Sequence, residues 1–96
     1  MSEKENPEEF YKRFKKQLEE TVSFPSDYRY KFIVTTDNQK LAEVQRVFDG
    51  MRPNVSSKES KNGKYTSLTI QVYMLDPESV IEKYKQVSKI EGVMML

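Results

Sequence analysis

Between Tyr65 and Met74 the chain reads YTSLTIQVYM, an unbroken alternation of side-chain character. In an extended segment Leu68, Ile70, Val72 and Met74 share one face, and Tyr65, Ser67, Thr69, Gln71 and Tyr73 share the other. A period of two sustained this long does not suit a helix. It demands a sheet with one buried side and one side left to water or to a partner.

Just before this strand stands SKNGKYTS, residues 60–67. Its Gly63-Lys64 could belong to a phosphate-binding loop, but such a loop needs a glycine five residues earlier and a hydroxyl residue after the lysine. Position 58 is lysine and Tyr65 follows Lys64, so both requirements fail. Asn62-Gly63 is instead a strong signal for a two-residue type I′ hairpin, which needs positive φ at both residues. Folding there sets Ser60 opposite Tyr65, Lys58 opposite Ser67 and Val55 opposite Ile70.

The remaining elements follow from local chemistry. Asn6-Pro7-Glu8-Glu9 is a helix start: a capping amide, a proline that loses no bond, and acids at the positive dipole end. Phe10, Phe14, Leu18 and Val22 then form one apolar stripe, with Tyr11 beside them, until Pro25 ends the segment. The residues YRYKFIVTT, 28–36, form a strand with Tyr30, Phe32 and Val34 on one face and Arg29, Lys31 and Ile33 on the other. Asp37-Asn38 caps a helix carrying Leu41, Val44 and Phe48 and closed by Gly50. Asp76-Pro77-Glu78 starts another with Val80, Ile81, Tyr84 and Val87 inward, and VMML at the end forms a short strand. Met74, Met94 and Met95 read as core filling.

The order is an extra helix followed by β-α-β-β-α-β. This is an α+β, ferredoxin-like arrangement, with an antiparallel sheet in the order 4-1-3-2 and both core helices on one side. Residues 1–23 form the helical extension and 24–96 the ferredoxin-like domain. The apolar stripe of the first helix needs a surface, and Ile33 with Tyr73 is the apolar strip this topology leaves open. Phe10 and Phe14 are therefore expected to dock near that face or at its edge, the alternative being a recognition helix for a partner.

Composition limits function. The 96 residues contain no cysteine and no histidine, which removes thiolate chemistry, disulfides and the usual neutral-pH acid/base and metal ligand. Glu8, Glu9, Asp37, Asp76 and Glu78 all stand at helix starts, where capping accounts for them. No enzyme activity, metal or cofactor is expected. With 16 basic and 15 acidic residues there is no global field to draw nucleic acid or an anionic membrane. The N-terminus MSEKENPEEF is acidic and polar, unlike a signal peptide, and no apolar run approaches a membrane span. The expectation is a soluble cytoplasmic protein.

Phe24-Pro25 before YRYK, the hairpin with SSK and NGKYTS, and VIEKYKQVSKIEGVMML at the end resemble the YbeD-like family of small bacterial proteins of uncharacterised function. The resemblance covers roughly residues 23–96. It implies a ferredoxin-like fold similar to the ACT regulatory domains of amino-acid enzymes, and it implies no reaction. Ligand-binding ACT domains usually place a glycine in the loop after the first strand, where this chain reads TTDNQK, with Asp37 and Asn38.

The candidate binding residues lie on the open sheet face: Arg29, Lys31, Lys58, Tyr65, Ser67 and Tyr73. Basic residues interleaved with tyrosines could hold single-stranded RNA. The RNA-recognition pattern wants several rings near Lys-Gly-aromatic; only Tyr65 fits, and Ser67 stands where a second ring is needed. The leading expectation is a regulatory or adaptor module that contacts protein, its own copy included. RNA or an anionic ligand is the alternative.

Overall fold

The computed structural model describes residues 6–95. The first five residues of the expected extension and Leu96 of the expected last strand lie outside them. The elements are α1 (Pro7–Thr21), β1 (Ser26–Thr35), α2 (Asn38–Arg46), β2 (Asn54–Glu59), β3 (Tyr65–Met74), α3 (Pro77–Ser88) and β4 (Val93–Met95). The sheet is antiparallel throughout in the order β2-β3-β1-β4, which is the expected 4-1-3-2 read from the other edge.

Each helix begins as its sequence dictates. The Asn6, Asp37 and Asp76 side chains accept from the backbone N–H groups of Glu9, Gln39 with Lys40, and Ser79, so each first turn has one or two of its free amides capped. Asp37 is thus occupied as a cap. Phe48 lies just past α2, where Val47 and Phe48 donate three residues back to Val44 and Gln45; the tightened turn still delivers the Phe48 ring to the core.

The core fills the space between the helices and one sheet face. Tyr30, Phe32 and Val34 of β1 and Leu68, Ile70, Val72 and Met74 of β3 meet Val44, Phe48, Val80, Ile81, Tyr84 and Val87. Its centre is aromatic: Tyr30 lies 4.8 Å from Tyr84 and 5.0 Å from Phe48, centroid to centroid. The buried Tyr30 hydroxyl donates to the Val80 carbonyl at 3.0 Å, and Tyr28 shares a hydrogen bond of 3.1 Å with Tyr84. Buried Thr66 meets Thr36, hydroxyl to hydroxyl, at 2.8 Å.

Three expectations need correction. First, α1 does not dock on the open sheet face. It packs against α3, with the Phe14 ring 5.4 Å from Tyr84, Leu18 buried in the core and Lys15 bonded to Glu78. Ile33 and Tyr73 lie toward opposite ends of a largely polar face and form no strip, whereas Tyr84, Ile81 and half-buried Tyr28 offer apolar surface on the helix side.

Second, the hairpin has the expected register, with Lys58 opposite Ser67, Val55 opposite Ile70 and Ser60 bonded to Tyr65, but its turn is not type I′. Gly63 has φ +71° while Asn62 stays out of the left-handed region. The Gly63 N–H donates back to the Ser60 carbonyl, and the Asn62 side chain accepts from the Lys64 N–H. This is a type I turn with serine first and glycine fourth, closed by an Asx bond. A two-residue turn would have placed Lys61 directly opposite Lys64, and the wider loop avoids that like-charge pair.

Third, Met74 fills the core, but Met94 is 54% and Met95 40% exposed. β4 is a three-residue edge strand. Its Val93 pairs with Val34 and faces inward, so Met94, opposite Ile33, must face out.

Candidate functional site

The open face is set by strand parity. Odd-numbered residues of β1 and β3 point away from the helices, as do Asn54, Ser56 and Lys58 of β2 and Met94 of β4. The sheet therefore brings all six expected residues to one surface. Arg29 and Lys31 are neighbours on β1, and Lys58 stands two strands away, roughly 10 Å across at the usual interstrand spacing. Ser67 lies between Lys58 and Ile33 in one cross-strand row that Met94 completes.

The two tyrosines do not come together. Tyr65 and Tyr73 occupy opposite ends of β3, about 27 Å apart for eight strand steps. The middle of the face is Ser56, Thr69 and Gln71 beside Lys31 and Arg29, with no ring among them. Tyr65 is engaged from above by the Lys64 ammonium, 5.5 Å from its centroid. Successive bases have no aromatic platform here. Three cations, Arg29, Lys31 and Lys58, face a single acid, Asp27, so the surface is locally positive although the chain is nearly neutral.

The apolar corner of Ile33 and Met94 was missed from the sequence. The signal existed: once Val93 is assigned inward, its neighbour must face out. The basic residues as a whole are not gathered on this face. Lys12, Arg13, Lys15 and Lys16 ride on α1, Lys40 and Arg46 on α2, and Lys83, Lys85 and Lys89 on or next to α3.

A second concavity runs between α1 and α3, lined by Tyr11, Lys12, Lys15, Glu78, Ile81 and Lys85. An ion pair spans it. Lys15 and Glu78 are 2.8 Å apart, and their hydrogen bond holds the Glu78 carboxyl below, and the Lys15 ammonium above, the ordinary range. Lys85 lies 5.1 Å from the Tyr11 ring centroid. Among the described residues no cluster of acids is arranged to hold a metal ion, and no helix is long and apolar enough to cross a membrane.

Comparison with known proteins agrees with this architecture. The chain is 29% identical over 80 residues to a UPF0250 protein of Shewanella piezotolerans, covering 80% of this chain and 91% of the relative. A UPF0250 protein of Shewanella halifaxensis is 28% identical over the same shares. The solution structure of protein HP0495 from H. pylori superposes with a TM-score of 0.64 at 23% identity, covering 79% of this chain and 86% of that one, and shows the same fold. The YbeD-like segments named above lie in the region of a family match that begins in the last turn of α1. Residues 19–96 match that family's model, and the chain belongs to the family described as "Protein of unknown function (DUF493)".

Proposed function

We propose that this protein is a small regulatory or adaptor module, cytoplasmic and non-catalytic, that works through protein–protein contacts on its open sheet face. The observation that carries the reading is the make-up of that face. An apolar corner, half-buried Ile33 with exposed Met94, adjoins hydroxyl and amide side chains flanked by Arg29, Lys31 and Lys58. A protein surface offers both an apolar anchor and acidic rim groups to match.

Single-stranded RNA or an anionic ligand is the second reading, favoured by the three cations alone. It is the weaker one because the centre of the face holds no ring and most basic residues lie elsewhere. Affinity capture from the native cell tests the choice, comparing the parent chain with a Lys31→Glu, Lys58→Glu, Met94→Ser variant of unchanged melting temperature. Proteins retained by the parent and lost from the variant support the proposal. RNA lost in their place supports the second reading, and identical captures contradict both.

A further inference from the structure

The side chains of the open face differ in height. Ser67, Thr69 and Gln71 of β3 are half-buried, and the first two are short, whereas Arg29 and Lys31 of β1 and Lys58 of β2 are long and exposed. β3 lies between those two strands, so a low floor runs between cationic walls. The strands that carry the walls are about 10 Å apart at the usual interstrand spacing. Exposed Tyr65 and Tyr73 stand at the two ends of the floor, about 27 Å from each other.

Backbone chemistry limits what can lie in this trough. From Thr66 to Gln71, β3 pairs with β1 on one side and with β2 on the other, so its N–H and C=O groups are already taken. An extended segment laid on the floor finds no backbone partner there, and its own amides are buried unmet. A helix satisfies its backbone internally. Its diameter with side chains, about 10–12 Å, matches the separation of the walls, and about eighteen residues at about 1.5 Å each reach from tyrosine to tyrosine.

We propose that the trough is the seat of an acidic helix from a partner protein, lying along β3 with carboxylates on both flanks. The inference rests on the protein-contact reading above and specifies the partner's chemistry. Small residues on the underside of the helix let it come close to Ser67 and Thr69. Carboxylates on one flank meet Arg29 and Lys31, and those on the other meet Lys58. An apolar residue near one end meets Ile33 and Met94. Asp27 adjoins Arg29 alone, so among the described side chains of this face Lys31 and Lys58 have no acid beside them.

A second copy of this chain does not supply that helix. α1 carries four acids and four cations, α2 one acid and two cations, and α3 two of each, so none is acidic. Sheet against sheet, two copies oppose one cationic face to another. A two-fold axis across the strands at Lys31 and Thr69 sets Lys31 on Lys31 and Arg29 on Ile33. An axis along β3 sets Lys58 on Ile33. Either way a cation is buried on the apolar corner.

The test uses the isotope-labelled full chain and a blocked, alanine-rich peptide of about eighteen residues. The peptide carries glutamates on both flanks of one helical face and a leucine at one end. Amide shifts should centre on Arg29, Lys31, Lys58, Ser67 and Thr69, and the peptide should gain helical signal on binding. Binding should weaken several-fold from low to physiological salt. Lys31→Glu should weaken it at least about tenfold. Thr69→Tyr, which raises a ring from the floor and leaves the charges alone, should weaken it as much. If Thr69→Tyr lowers the melting temperature, Lys31→Glu, at an exposed position, decides the matter. Equal binding of the same peptide with lysine for glutamate, or with a central proline that breaks the helix, overturns the proposal. So do shifts confined to the groove between α1 and α3, no shift at millimolar peptide, or unchanged binding by Thr69→Tyr in a stable fold. Self-association through the face, or a polyuridine strand bound there in place of the peptide, overturns it as well. Partners lost from the Lys31→Glu, Lys58→Glu, Met94→Ser variant but kept by Thr69→Tyr remove only the helix and leave the protein-contact reading standing.

Discussion

At Gly63, a Cβ would come 3.6 Å from a Glu59 carboxylate oxygen, an ordinary contact, so the obstacle to a side chain is conformational. With φ at +71°, Gly63→Val should cost about 1–2 kcal/mol in chemical denaturation. Asn62→Ala should cost about 0.5–1.5 kcal/mol through loss of the Asx bond to Lys64, not through any left-handed backbone. The dipeptide located the turn and its register but not its type, because asparagine serves equally through its backbone and its side chain. Tyr30 and Tyr84 give a second residue-scale prediction. Burial, joined at Tyr84 by the bond to Tyr28, pushes both phenols well above their ordinary value of 10.0. The unfolded chain can ionise them where the folded chain cannot. Their contribution is therefore complete below pH 10 and is lost as pH rises beyond it. Urea midpoints should fall steadily above about pH 10, and Tyr30→Phe should flatten that fall while costing about 0.5–1.5 kcal/mol through the lost bond to Val80.

Among the elements, α1 separates what periodicity reveals from what it conceals. The spacing of Phe10, Phe14 and Leu18 gave the helix and its apolar side, and Asn6 gave its start. Where that side docks depends on the flank that Tyr28, Ile81 and Tyr84 build together, which no local pattern contains. Leu18 is in the core, so Leu18→Ala should cost about 2–5 kcal/mol in a thermal or urea melt. Phe10 is 45% exposed, and Phe10→Ala should change little by the same measurement. Amides across residues 9–20 should exchange slowly in the monomer; fast exchange there would detach α1 from α3. β4 carries the same lesson in reverse, since three residues are too few to show alternation and Met94 was assigned by hydrophobicity alone.

For the whole molecule, the alternation in β1 and β3 with the hairpin and helix caps made the fold legible, because every local preference agreed with one topology. The site was legible as a face and not as an arrangement. Parity put Arg29, Lys31, Lys58, Tyr65, Ser67 and Tyr73 on one side, but the distance between the two tyrosines and the company Met94 keeps emerge only once the register is known. That arrangement is the basis of the protein-contact proposal. The most direct test is site-specific photocrosslinking in the native cell, with a photoreactive residue at Ser67 on the open face and, as control, at Gln45 on α2. The account predicts discrete protein adducts from position 67 that are absent from position 45. Adducts to RNA from position 67, or the same proteins from both positions, would contradict it.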